Sequence, residues 1–75
     1  MLFVAKIHNM ELGRSQPVNN HEDGAKILLS WIENDQIMLS DEEIAQHKEA
    51  LENGESVYID ADSDNQYTYT FGVMD

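Results

Sequence analysis

Cysteine is absent from this 75-residue chain, lysine and arginine together number only four, and there is a single proline. Without cysteine there is no disulfide and no thiolate-bound zinc, so a domain near the lower size limit for autonomous folding is held by apolar packing alone. The three histidines, His8, His21 and His47, lack metal-site spacing. Long hydrophobic runs are missing as well. The longest near the N-terminus, Leu2 to Ala5, is broken by Lys6 and falls far short of a signal-peptide core or a membrane span. The sequence therefore reads as one soluble domain over residues 1–75, and the lack of cysteine fits a reducing, cytoplasmic location.

What is present is acid. Fifteen Asp and Glu give a formal net charge of −11, which opposes direct binding to nucleic-acid phosphates or to an anionic membrane. Eleven of those acids lie between Glu33 and Asp64, a stretch with one base, Lys48. Charge gathered in this way strains the compact state by self-repulsion and directs attention to a positively charged partner or a cation.

The apolar pattern divides the chain into elements. Leu2 to His8 alternates like a strand, with Phe3, Ala5 and Ile7 expected to face the core. Asn9 to Asn19 contains Gly13, Ser15 and Pro17 without periodicity and reads as a connecting loop. Asn19 and Asn20 are suitable N-caps for a helix whose core stripe is Ala25, Leu28, Leu29 and Ile32, with Ile27 and Trp31 on its flank and an end near Asn34. Ser40 and Glu43 form a capping box, flanked by Leu39 and Ile44 in staple positions, so a second helix begins at Asp41; Asn53-Gly54 stops it. Ser56 to Asp62 and Gln66 to Met74 alternate as two strands, joined by the turn residues Ser63-Asp64-Asn65. The expected fold class is α+β, a three-stranded sheet with two helices on one face in the order β-α-α-β-β, the last and most apolar strand at its centre.

In the second helix, Ile44 and Leu51 share a side with His47 and Lys48, which leaves Glu42, Gln46, Glu49 and Asn53 on a polar outer face with Glu52 at its flank. In the hairpin, Asp60 and Asp62 are two residues apart and are expected on one sheet face beside an exposed Tyr58, with Asp64 in the turn. A solvated, solubilising surface explains any such charge run. The alternative is an array of carboxylates standing in for a nucleic-acid backbone: about 30 Å of duplex shows roughly eight phosphates on one face, close to the local excess of acid. The candidate partner-binding residues are Glu42, Glu49, Glu52, Tyr58, Asp60, Asp62 and Asp64.

In size, acidity, lack of cysteine and mixed α/β pattern, the whole chain resembles small bacteriophage proteins that disable host defences, the anti-CRISPR and DNA-mimic inhibitors. The resemblance is one of composition, without a diagnostic motif. It implies stoichiometric occlusion of a basic surface on a nuclease or nucleic-acid-binding complex.

Other readings are weaker. Asp60-Ala-Asp62-Ser-Asp64-Asn65 opens like a calcium loop, but Asn65 stands where that loop has glycine and Phe71 where it has its bidentate acid, so only weak cation binding is implied. No nucleophile, base and orienting residue form a set, so no enzyme and no cofactor are inferred. An oligomer-forming role would use Ile27 and Trp31.

Overall fold

Backbone pairing, more than side-chain pattern, organises the N-terminal third of the molecule. The computed structural model describes residues 1–74, with β1 (Leu2–His8), β2 (Glu11–Pro17), α1 (His21–Asn34), α2 (Asp41–Glu52), β3 (Val57–Asp62) and β4 (Asn65–Val73). The strands form one antiparallel sheet in the order β2-β1-β4-β3. The three-stranded β-α-α-β-β expectation is thus corrected to four strands in the order β-β-α-α-β-β.

The missing strand is β2, which the sequence presents as a loop. Every residue of β2 is exposed, so no buried face imposes a period of two. It lies at the sheet edge, where Pro17 is tolerated because an edge strand need not donate on both sides. The β1–β2 hairpin turns on Asn9 and Met10, both with positive φ (50° and 70°), the left-handed backbone of a two-residue hairpin turn. Methionine is an unusual residue for that conformation, so no Asn-Gly signal marks it. The turn is held from outside: Asn9 donates through Nδ2 to the Asp64 carbonyl (2.7 Å) and exchanges backbone and side-chain bonds with Gln66 (both 2.9 Å).

A second correction concerns the face of β1. Antiparallel partners share a face, and Val4, Lys6 and His8 pair with Phe71, Tyr69 and Tyr67 on the side covered by the helices. Phe3, Ala5 and Ile7, expected to face the core, lie on the opposite side of the sheet, where the Phe3 ring sits over Gly72 and Ala5 alone of the three is buried. The core consists of Val4, Ala25, Leu28, Trp31, Ile32, Leu51, Val57, Ile59 and Tyr69. β1 is apolar on both sides, and its two polar side chains on the inner face are satisfied there. Lys6 Nζ pairs with Asp35 Oδ1 at 2.9 Å, and His8 bonds Asn65 Oδ1 at 3.0 Å while stacking on Tyr67.

The helices follow from local chemistry. Asn20 caps α1 by accepting from the Asp23 amide (2.8 Å), and Glu22 and Asp23 complement its dipole. The Ser40 hydroxyl accepts from the Glu43 amide (3.2 Å) while Glu43 Oε1 accepts from the Ser40 amide (3.3 Å), closing the capping box of α2. Gly54, with φ of +83°, follows the cap Asn53 and ends it. α1 lies on β1 and β4 and α2 lies beside β3, giving a two-layer molecule 17 Å in its shortest dimension. Among the described residues no helix is long and apolar enough to cross a membrane.

Two outcomes are expected. Gly24→Ala would ordinarily favour a helix, but here the added Cβ runs into the Phe71 ring and lies 2.9 Å from Val4 Cγ1. The variant should lose about 1–3 kcal/mol in urea unfolding. The Tyr69 phenol is held above its ordinary value of 10.0, first by burial and then by its bond to Asp35. In the unfolded chain that phenol ionises from about pH 10 while the folded protein keeps its proton, so its stabilisation is complete below pH 10 and is lost above it. Tyr69→Phe should cost about 2 kcal/mol at neutral pH. Its urea midpoint should then fall less than that of the unaltered protein between about pH 9 and 11.

Candidate functional site

The one ion pair among the described residues is Lys6–Asp35. Thirteen of the fourteen described acids are exposed, Asp35 being the exception, so almost the whole negative charge stands in solvent without a cationic partner. Its distribution follows the topology. β3 is the sheet edge opposite β2, and α2 packs beside it, so Glu43 of α2 and Asp60 of β3 come to line one depression.

At the seam between α2 and β3 is a shallow depression of about 280 Å³, lined by Glu43 and His47 from α2, Tyr58 and Asp60 from β3, and Met38 from the connection between the helices. Tyr58 is 59% exposed and Met38 97% exposed. Tyr58 and Asp60 point away from the core because Val57 and Ile59, the alternate residues, are buried in it. Glu43 is held by the capping box, so its carboxylate is positioned rather than freely mobile. The depression thus joins an exposed tyrosine and an exposed methionine to two carboxylate residues on its rim.

The seven candidate residues do not all gather here. Tyr58 and Asp60 line the seam. Glu42 and Glu49 are exposed on α2 outside it. Glu52 lines a smaller depression between the helices with Glu22, Lys26 and Lys48. Asp64 occupies the hairpin turn, its carbonyl taken by Asn9. Asp62 parts from Asp60 altogether. The register shifts between them, Asp60 pairing with Gln66 and Asp62 with Asn65, neighbours on opposite faces of β4. The expectation that Asp60 and Asp62 share a face is therefore corrected, and with it the alternating ligand set of a calcium loop.

Asp62 organises the turn. Its Oδ1 accepts from the Asp64 amide at 2.8 Å, and both its oxygens accept from Asn65 Nδ2 at 3.1 Å. These bonds, the Asn65 side chain first and the Asp64 amide next, hold its carboxyl below the ordinary value. Among the described residues no group of three or more His, Asp or Glu is placed to hold a metal ion. Trp31, expected on the flank of α1 and available for self-association, is buried and lies under the Arg14 guanidinium, 5.0 Å from its ring centroid. Sequence reasoning missed Glu43, seen only as a cap, together with Met38 and His47; nothing local marks them, because the seam exists only once α2 lies against β3.

Comparisons with protein-family models, with curated proteins and with solved structures find no match for this chain.

If the Asn65 side chain holds the Asp62 carboxylate, carboxyl-carbon NMR titration should place the Asp62 midpoint below the ordinary aspartate value. Asn65→Ala should then move that midpoint upward.

Proposed function

We propose that this protein is a non-enzymatic acidic binding protein that occludes a basic, nucleic-acid-binding surface of a partner protein inside the cell, in the manner of a phage-type inhibitor. The observation that carries this reading is the combination at the α2–β3 edge: two carboxylates without cationic partners, Glu43 and Asp60, lining the same depression as the exposed Tyr58 and Met38. Charge complementarity accelerates encounter and makes binding sensitive to salt, while the ring and the thioether supply the apolar contact that slows dissociation. β3 adds a further means of attachment. It pairs only with β4, so its outer backbone groups are open to an extended segment of the partner.

Mimicry of a nucleic-acid backbone, in this reading, depends on acids drawn from two elements and not on a regular row along one strand. Asp60, Glu42 and Glu49 belong to the display, whereas Asp62 serves the turn that presents it.

The test has two steps. A basic nucleic-acid-binding protein recovered on the immobilised chain from a bacterial lysate at low salt is purified, and the soluble chain is then titrated against its complex with labelled duplex DNA. Stoichiometric displacement of the DNA at low salt, weakening as salt rises, is expected. Replacing Glu42 and Asp60 by lysine together with Tyr58→Ala should weaken displacement by at least about tenfold, more than about 1.4 kcal/mol, with the circular dichroism spectrum unchanged. Equal potency of the triple variant would overturn the assignment of this edge.

A further inference from the structure

One face of the sheet has no second layer. The helices cover the side of Val4 and Tyr69, and strand pairing places Phe3, Ala5 and Ile7 on the other side with their partners. Those residues fall into rows across the strands. Leu12, Ile7, Thr68 and Tyr58 stand side by side in one row. Ser15, Ala5 and Thr70 form the next, extended by Ser56, just ahead of β3, whose hydroxyl meets that of Thr70. Pro17, Phe3 and Gly72 form the third. The middle row holds only small side chains, with the buried Ala5 at its floor, so it is a trough beside a ridge of larger ones. Leu12 is 67% exposed and Phe3 and Ile7 are partly exposed, apolar surface that nothing within the chain covers.

Charge is nearly absent from this face. Among the described acids, pairing places only Asp60 on it, at the β3 corner. It holds no lysine or arginine, because Lys6 and Arg14 reach Asp35 and Trp31 on the helix side and Lys26 and Lys48 belong to the helices. Two chains of net charge −11 repel one another, and an approach through the helices would also bring carboxylates together at short range. Face to face, each set of helix acids lies behind its own sheet, and sheets stacked about 10 Å apart already exceed the Debye length of about 8 Å at physiological salt.

Shape specifies the occupant. A two-fold axis lying in the interface, parallel to the rows and midway between the first two, turns this face onto itself. Leu12, Ile7, Thr68 and Tyr58 of one copy then lie over Ser15, Ala5, Thr70 and Ser56 of the other, and the reverse follows by symmetry. The ridge and the trough that receives it sit on the same chain, two residues or about 7 Å apart along the strands, which is what a second copy requires. Four strands about 4.8 Å apart and seven residues of about 3.3 Å give a face of about 19 by 23 Å, roughly 900 Å² for a pair, the size of a weak, reversible association.

We propose that this protein forms a reversible two-fold dimer through the helix-free face of its sheet, the Leu12 to Tyr58 row of each copy seated in the Ser15, Ala5 and Thr70 row of the other. The inference does not rest on the acidic edge. Tyr58 belongs to both surfaces, so the test uses β2 at the opposite edge, and its failure leaves the other reading standing.

Sedimentation velocity of the full chain over about a hundredfold range of concentration, at low and at moderate salt, reads the dissociation constant. A monomer–dimer equilibrium that tightens at least about threefold as salt screens the repulsion is expected, opposite in sign to binding at the acidic edge. Leu12→Glu should weaken dimerisation at least about tenfold. Ser15→Phe should weaken it too, by filling the trough, whereas a merely adhesive apolar face would gain from the added ring. Both positions are exposed on an edge strand, so the circular dichroism spectrum should not change. A chain that stays monomeric throughout, association that weakens as salt rises, or a dimer indifferent to Leu12→Glu or tightened by Ser15→Phe would each overturn the proposal.

Discussion

The carboxylate of Asp35 joins the two layers of this molecule. It follows the last turn of α1, where the helix dipole disfavours an anion and no basic residue of the helix offsets it. The sheet provides what the helix lacks. Lys6 from β1 takes one oxygen at 2.9 Å and the Tyr69 hydroxyl from β4 donates to the other at 2.6 Å. Partly buried and bonded on both oxygens, this carboxylate ties the end of α1 to the two central strands. It also explains why the inner face of β1 carries a lysine, because Lys6 reaches a partner that exists only when the helix is docked.

Burial on one side of the sheet has consequences on the other. The uncovered face carries Phe3 against Gly72, Ala5, Ile7, Thr68, Thr70 and Tyr58, a mixed surface that is neither core nor fully polar. The edges differ in kind. β2 is polar and exposed throughout, with Pro17 near its end, which suits an edge that avoids unwanted pairing. β3 has no proline and exposes Tyr58 and Asp60 between the buried Val57 and Ile59, with α2 packed beside it. Two of the uncompensated acids, Glu43 and Asp60, line one depression at this edge.

Elements whose signals are local are legible in the order of residues. The capping box at Ser40, the Asn20 cap, the Gly54 stop and the alternation of Val57 and Ile59 act within a few residues, and each element forms where those residues place it. β2 is not legible in this way, since its strand character comes from pairing with β1 and from a turn clamped by Asn9 to a hairpin more than fifty residues away. The orientation of β1 misleads because both of its faces are apolar. At the candidate site, the exposure of Tyr58 and Asp60 follows from alternation, while the separation of Asp62 from Asp60 follows from one register shift next to the turn. An irregularity of one residue moves a side chain through the sheet, and no local pattern announces it.

By itself, the amino-acid order determined the two helices, the C-terminal hairpin, the reliance on apolar packing without cross-links, and a negative charge concentrated in the second half. Tertiary structure alone decided the fourth strand, the inward face of β1, the burial of Trp31, the depression shared by Glu43, Tyr58 and Asp60, and the groove between α1 and α2. The division has a physical origin. Caps, turns and periodicity act between neighbours in sequence, whereas strand register and helix docking are chosen by contacts between distant segments, and the sites at the seams between elements arise from those contacts.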